Sequence, residues 1–570
     1  MNSPENIQFT EPRDTVEVHL PDGRIISGPR GSKLEDLFAV LKDPDQAPIV
    51  GAVVNGKLGE LSKTVDKDVE AHPVRMDQAD GMRFYRRSLT FLLERAFHDI
   101  HPEVILNIDH SISSGGYFCQ VYRRSPLSAE ELQIVENRMR ELVEEDIPFE
   151  RTKVSLKEGI KLFEDWGYKD KVRLLAHRKK DYLTLYSLGD HLDYHHGYMV
   201  PSTGYLQWFD LEVMDEGFIL RFPRQGEPTT LQPAEKNFTL LNIFQRYGRW
   251  LQRLGIDSVG ALNDAIEESQ IRKIVLVSEA LHEQHIAELA RKIEERSQEL
   301  DVILIAGPSS SGKTTFAKRL TIQLLARGIS PFSLEMDNYF VDRDQTPLDE
   351  HGEFNFEALE AVNRERLGRD LKRLIEGETV TMPTYDFQTG KSLEGETVQL
   401  RPGQIIILEG IHGLNPELIP TVPSRRTFRI YISALTQLNL DRHNRVSTTD
   451  TRLIRRIVRD AWDRGYTAKD TIDRWESVRR GEKQYIFPYQ GEADVMFNSA
   501  LAYELSALKP LAEPLIRQVP HNTAARIEAK RLLAFLEWFL PLEDAIIPEN
   551  SILREFMGGS NLQDFQLWEK

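Results

Sequence analysis

Apolar and polar positions alternate at the start of the chain. In VEVHL, Val16, Val18 and Leu20 alternate with polar residues, and Pro-Asp-Gly follows, which predicts a half-buried strand and a turn. KLEDLFAVL has the spacing of a short amphipathic helix. IVGAVVNGKLGEL sets Asn55-Gly56 between two strand-like runs, a strong hairpin signal. Residues 15–75 thus predict a small α/β unit. A second region of mixed character, 81–222, begins with the helical pattern FYRRSLTFLLERAFHDI. Residues 230–300 are charge-rich and largely helical, ending in HEQHIAELARKIEERSQEL, and predict a connecting segment. From Asp301 the pattern becomes strand, loop and helix, which opens an α/β domain running to about Ala500. Residues 501–570 predict helices. These shifts divide the chain into 1–76, 77–225, 226–300, 301–500 and 501–570.

Composition narrows the class. At 570 residues, two to four domains are expected. Hydrophobic content of 40% and charged content of 28% fit a globular protein. A net charge of −17 argues against a general nucleic-acid coat or a membrane-surface protein. The single cysteine, Cys119, excludes a disulfide framework within the chain. MNSPENIQFTEPRD has no basic region followed by an apolar stretch, and no apolar run approaches the ~20 residues of a membrane span. A cytoplasmic protein is the expectation.

One stretch carries explicit chemistry. Asp301–Ile305 reads as a short apolar strand, and Gly307-Pro308-Ser309-Ser310-Ser311-Gly312-Lys313-Thr314-Thr315 fits G-x-x-x-x-G-K-[ST] before a helical run, 316–326. Glycines let backbone N–H groups curl around phosphate oxygens, and the helix N-terminus adds partial positive charge. Lys313 is placed to reach the β- and γ-phosphates, and the Thr314 hydroxyl to ligate Mg²⁺. The motif predicts nucleoside triphosphate binding and does not separate ATPase, GTPase and kinase. The guanine-reading Asn-Lys-x-Asp is absent from the sequence. QIIILEG, 404–410, ends a strand on the single acid Glu409, which suits a Mg²⁺-organising carboxylate.

The acceptor side is less explicit. In SLEMDNYF, Asp337 stands where a strand gives way to a loop; it suits a general base, and equally a cap for the next turn. MPTYDFQTGKS places Tyr385 and Phe387 around Asp386, as for a flat ring held by stacking, or as in an ordinary half-buried strand. In TRLIRRIVRDAWDRG, Arg452, Arg455, Arg456 and Arg459 share one helical face, with Leu453, Ile454, Ile457, Val458, Ala461 and Trp462 opposite. Residues 441–480 hold ten arginines and one lysine against seven acids, net +4. A mobile arginine helix over a phosphate site would neutralise charge during phosphoryl transfer; a solvated basic face would look the same.

In this order, the phosphate loop, DNYF, the YDF strand, the LEG strand end, RRIVRD…RG and GEADVMFN resemble the uridine kinase and phosphoribulokinase family over about 200 residues, 301–500. The resemblance implies a P-loop parallel-sheet kinase using ATP and Mg²⁺ on a small-molecule nucleoside. It implies Asp337 as catalytic base and Glu409 as a Mg²⁺-associated acid. Lys313, Arg456 and Arg459 would assist transfer, Arg464 would contact substrate, and Tyr385 and Phe387 would line the nucleoside pocket. Two departures stand out. Gly390 occupies the place of a base-reading histidine that follows YDF in uridine-cytidine kinases, and Tyr466 and Arg474 stand where relatives carry Arg and Gln. Looser base selection is therefore expected.

The front half has its own likeness. Residues 15–75 resemble a TGS domain, the ubiquitin-like module of threonyl-tRNA synthetases. Residues 81–222 resemble the α+β second, editing-type domain of those enzymes, through RRSLTFLLERAFHDIHPEV, ISSGGYFCQVY and HLDYHHGYMVP. There the family pattern is His-x-x-x-His, then Cys-x-x-x-His. Here Arg87 and Phe91 replace the first pair, and the second aligns to His195 and Met199, leaving one potential ligand. His191, His195 and His196 read as structural or generic polar residues, so neither catalytic zinc nor editing-like hydrolysis is expected. The front half is expected to bind, dock or regulate; nucleic-acid binding there is an alternative that the acidic balance disfavours. The leading expectation for the whole chain is an ATP-dependent nucleoside kinase. The alternatives are an RNA-associated regulatory P-loop ATPase and a kinase for another sugar-like acceptor, such as a phosphorylated pentose.

Overall fold

A computed structural model describes residues 11, 13–112, 115–233, 238–350, 352, 354–386, 388–436 and 438–565. The chain forms two compact units. The first comprises residues 1–236, 440–445 and 522–527, and the second residues 237–439, 446–521 and 528–570.

In the first unit, β1 (Thr15–His19), β2 (Ile25–Pro29), β3 (Ile49–Val54), β4 (Lys57–Gly59) and β5 (Val69–Arg75) form one sheet in the order β2-β1-β5-β3-β4. Val16 and Val18 are fully buried under it, as the alternation predicts. Asn55 and Gly56 both have positive φ (48° and 68°) and pair β3 with β4, because a tight hairpin twisted like its strands needs left-handed backbone at both positions. Helix α1 (Leu34–Phe38) buries Leu34, Leu37 and Phe38.

Helix α2 (Ala79–Ile100) follows, with Phe84, Leu89, Leu92, Leu93 and Phe97 inside. The antiparallel strands β6 (Ile105–Ile112) and β7 (Gly116–Tyr122) join a four-stranded sheet. A separate three-stranded antiparallel sheet holds β8 (Phe149–Ser155), β9 (Tyr182–Leu188) and β10 (His191–Asp193). Helix α3 (Ala129–Glu144) starts at a reciprocal cap: the Ser128 side chain accepts from the Glu131 N–H, and Glu131 accepts from the Ser128 N–H. Helix α4 (Lys169–Ala176) contributes Asp170 and Lys171 to the polar interior of this unit.

The second unit centres on a five-stranded parallel sheet. Its strands are β11 (Val302–Ala306), β12 (Pro331–Glu335), β13 (Ile405–Glu409), β14 (Thr427–Ser433) and β15 (Val495–Asn498), in the order β12-β13-β11-β14-β15. Every residue of β11 is buried, as expected for a parallel strand covered on both faces. The register pairs Ile305 with both Glu409 and Ile430, so the loop after β11 leaves from the middle of the sheet. Helix α5 (Lys313–Leu325) follows that loop. Helices α6 (Thr448–Asp463) and α7 (Ala468–Tyr485) lie in the arginine-rich segment, capped by Ser447 and by a Thr467/Asp470 box. Residues 379–386 and 391–399 form an antiparallel hairpin. Among the described residues no helix is long and apolar enough to cross a membrane.

Candidate active site

The loop after β11 is built for close approach. A Cβ at Gly307 would lie 2.1 Å from the Ile432 carbonyl oxygen, so only glycine fits there. Ser310 and Gly312 take left-handed φ of 57° and 89°, which curls the loop before Lys313 opens α5. Lys313 Nζ lies 3.4 Å from the Pro308 carbonyl, folded back over the loop. The Thr314 hydroxyl donates to Glu409 at 3.1 and 3.2 Å from its two oxygens. Burial pushes the Glu409 carboxyl up to about 8; Glu555, Glu335 and Asp337 add to the rise and Lys313 opposes it. An all-oxygen group this rich in carboxylates fits a hard divalent cation such as Mg²⁺, with Thr314 and Glu409 the residues that would hold it.

Asp337 sits in a short 3-10 turn, Met336–Tyr339, directly after β12. Burial raises its carboxyl above the ordinary value, against the cationic groups of Lys313, Arg464 and Arg459, which face it. The structure thus gathers a loop lysine, a strand-end aspartate and two arginines from the end of α6 around one volume.

Helix α6 divides its arginines into two jobs, a difference from the single basic face read in the sequence. Arg452 and Arg455 are buried, at 1% and 0% exposure. Arg452 pairs with Glu482 and donates to the Ser309 carbonyl at 2.9 Å. Arg455 pairs with Glu504 and donates to the Ser499 carbonyl at 3.0 Å. Both brace the phosphate loop from behind. Arg456 instead donates to the Ser309 hydroxyl at 2.9 Å. Arg459 donates to Asp460 at 2.8 Å, and Arg456 to the same carboxylate at 3.2 Å, with Arg464 3.9 Å from it. Burial would raise the Asp460 carboxyl, but Arg459 and Arg456 hold it below the ordinary value. Asp460 is therefore the common anchor of the three arginines. It closes the RRIVRD run of the sequence, where no role was assigned to it.

Two further carboxylates meet the loop's backbone donors. Glu482 accepts from the Ser309 N–H at 3.1 Å, and Glu555 from the Thr315 N–H at 2.9 Å. Glu357 also faces the site: its Oε2 is enclosed without a hydrogen-bond partner. Burial pushes its carboxyl up to about 7, helped by Glu482 and opposed by Arg456 and Lys313. Sequence reading missed Glu357, Glu482 and Glu555, which sit in stretches without a recognisable motif.

The acceptor side departs from simple expectation. Tyr385 is 4% exposed and packs in the apolar cluster with Met336 and Tyr339, its ring edge-on to Phe340 at 5.6 Å. Phe387 lies outside the described residues. Asp386 accepts from the Gln388 N–H at 2.9 Å and the Thr389 hydroxyl at 2.8 Å, so it holds its own turn. Gly390 has φ 70°, and a Cβ there would lie 2.7 Å from Arg343 Nε. The place of the absent histidine is thus filled by Arg343. Lys391 is engaged with Asp342 at 3.0 Å, and Arg474 stacks on Tyr466 at 4.5 Å.

Residues 302–506 match the phosphoribulokinase / uridine kinase family. This stretch is a P-loop kinase domain of that family. The N-terminal part is similar to other proteins. It is 30% identical over 198 residues to the threonine–tRNA ligase of Thermotoga petrophila, covering 34% of this chain and 30% of that protein. It is 37% identical over 160 residues to that of Acidithiobacillus ferrooxidans, covering 28% and 25%. The chain therefore spans less than a third of the length of these relatives. A solved structure described as a possible uridine kinase from Bacillus stearothermophilus is 24% identical, covering 37% of this chain and all of that one, with a TM-score of 0.22. The kinase domain carries the loop, Asp337, Glu409 and the arginines in one unit.

The synthetase-pattern positions of the first unit hold no His-x-x-x-His geometry. Arg87 donates to the Tyr198 carbonyl, and the Phe91 ring packs on His191 and His195 at 5.5 and 5.0 Å. The His196 backbone N–H donates to Asn444, while His195 turns toward Glu94.

Proposed function

We propose that the protein is an ATP-dependent, Mg²⁺-requiring kinase that transfers the γ-phosphoryl group to the 5′-hydroxyl of a nucleoside. The observation that carries this reading is the convergence of Lys313, Arg459 and Arg464 on Asp337, beside the Thr314–Glu409 contact. Asp337 accepts the proton of the attacking hydroxyl. The new bond joins that oxygen to the γ-phosphorus, the bond to the β–γ bridging oxygen breaks, and ADP leaves. Lys313, Arg456 and Arg459 neutralise charge on the moving group, Arg464 contacts the substrate, and Mg²⁺, when bound, supplies the remaining counter-charge. The Gly307–Thr315 loop holds the ATP phosphates.

Base selection in this reading is looser than in a dedicated uridine-cytidine kinase. Gly390 offers no side chain to read a base edge, and a missing partner removes discrimination against analogues. Pyrimidine nucleosides remain the first choice, with Arg343 the side chain at the vacated position. We further propose a cytoplasmic enzyme divided as in the sequence reading, with TGS-like 1–76 and editing-like 77–225 segments that dock or regulate. The test is ADP release with uridine, cytidine, thymidine, adenosine, guanosine and a panel of sugar phosphates. Turnover with several nucleosides is the expected result. Turnover confined to sugar phosphates would overturn the nucleoside assignment, and RNA-stimulated hydrolysis without any acceptor would favour the regulatory ATPase.

A further inference from the structure

The C-terminal part of the second unit returns to the phosphate loop. A single helical turn, Arg554–Met557, lies in the run LREFMGGSN, residues 553–561. Its apolar side chains seat it firmly: Ile552, Leu553 and Phe556 are fully buried. The Trp462 indole N–H, near the end of α6, donates to the Phe556 carbonyl at 2.6 Å, and the Arg455 guanidinium lies 4.9 Å from the centre of the Phe556 ring. A Cβ at Gly312 would lie 2.8 Å from Ile552 Cγ2, so the turn presses directly on the loop glycine. Beyond Gly558 and Gly559, both with positive φ (81° and 71°), the chain meets α5 again, where Lys318 Nζ donates to the carbonyls of Leu562 and Gln563 at 2.8 and 3.0 Å. Glu555 is thereby carried to the start of α5. Its carboxylate accepts from the Thr315 N–H at 2.9 Å, across 240 positions of sequence.

We propose that residues 551–563 form an autoinhibitory strap: the Glu555 carboxylate holds the place of a phosphate oxygen at the Thr315 N–H, and a nucleoside triphosphate enters the loop by displacing it.

The donor is the first reason. Thr315 is the third residue of α5, and the first four N–H groups of a helix have no partner within it. In a G-x-x-x-x-G-K-[ST] loop such groups cradle the phosphates. One N–H cannot serve a carboxylate and a phosphate oxygen together. Charge adds to the competition. Glu555 is close enough to Glu409 to help push that carboxyl up, so its negative charge sits where a triphosphate and its metal would lie. The contrast with Glu482 shows which carboxylate can leave. Glu482, which accepts from the Ser309 N–H, is fully buried and paired with Arg452, and is a fixed brace. Glu555 is half-buried, and among the described residues no cation pairs with its carboxylate. Its side chain can swing to another rotamer while the packed turn stays in place. The strap therefore raises the triphosphate concentration at which the loop fills, without altering the loop itself.

This inference rests on the phosphate-loop reading and not on the nucleoside acceptor, so its test needs no acceptor. Binding of ATP, tripolyphosphate and adenosine to the full chain is measured by titration calorimetry on the parent, Glu555→Ala and Glu555→Gln, with melting temperatures alongside. Glu555→Ala should tighten ATP and tripolyphosphate by about 10-fold each, the scale of one hydrogen bond to a charged group. Glu555→Gln, which keeps the shape and an uncharged acceptor, should tighten them by about 3-fold and carries the test if the alanine variant does not fold. Adenosine, which has no phosphate, should keep its parental affinity. Asp564→Asn removes an exposed acid from just beyond the strap and should leave all three affinities unchanged. Triphosphate affinity at or below the parent's in the folded Glu555 variants overturns the proposal: weaker binding would assign Glu555 to metal support, and a lower melting temperature with parental affinities would mark a purely structural cap. Equal tightening of adenosine, or equal tightening by Asp564→Asn, overturns it as well. A parent that binds neither ATP nor tripolyphosphate would instead sink the phosphate-loop reading, and this inference with it.

Discussion

Replacing Glu357 by Gln should stabilise the protein in proportion to pH. Its carboxyl, ordinarily near 4.5, is pushed up to about 7, chiefly by burial, with Glu482 adding repulsion. A carboxyl whose folded value exceeds its unfolded value holds its proton more tightly in the native state. Its cost is therefore absent below pH 4.5, grows as pH rises, and is complete above about 7. At 1.36 kcal/mol per pH unit the full displacement corresponds to about 3.4 kcal/mol at pH 8.5 and about 0.8 kcal/mol at pH 5. The side chain as a whole is half-buried although Oε2 is enclosed, and solvent screening reduces the high-pH figure to about 1–3 kcal/mol. Gln keeps the shape and removes the charge, so the variant should gain that amount over the parent at pH 8.5 and little at pH 5. With about 2–4 °C per kcal/mol for a domain of this size, calorimetric melts without nucleotide should separate by several degrees at high pH. A parent–variant difference that is flat with pH, or that shrinks as pH rises, would refute the reasoning.

Other perturbations probe neighbouring parts of the site. Lys313→Ala should retain the parental melting transition and lose phosphoryl transfer, read by calorimetry and ADP release together; near-normal turnover would mean the loop has been misread. Asp337→Asn should lower turnover by ~10²–10⁴-fold while ATP affinity holds, as expected when a positioned base is removed. Equal losses in both quantities would assign Asp337 to metal or nucleotide binding. Arg455→Met should destabilise the fold by about 3–5 kcal/mol, because it leaves Glu504 buried and charged without its partner. A denaturation midpoint equal to the parent's would show that this pair contributes little.

The sequence by itself determined whatever depends on neighbours along the chain. The Asn55-Gly56 hairpin follows from two adjacent residues that tolerate positive φ. The phosphate loop follows from glycines at fixed spacing between an apolar strand and a helix, and the ends of β12 and β13 place Asp337 and Glu409 through a motif order that is itself linear. Tertiary structure alone decided which charges are buried and with whom. A stripe of arginines has the same helical period whether it faces water or buried carboxylates. Only packing shows that Arg452 and Arg455 meet Glu482 and Glu504, while Arg456 and Arg459 turn to Ser309 and Asp460. The same holds for Arg343 filling the space at Gly390, and for Glu94 meeting His443 from the far end of the chain. The physical reason is that an ionisable side chain's role is set by its solvation and its nearest opposite charge. Both are properties of three-dimensional contact, invisible to composition and periodicity.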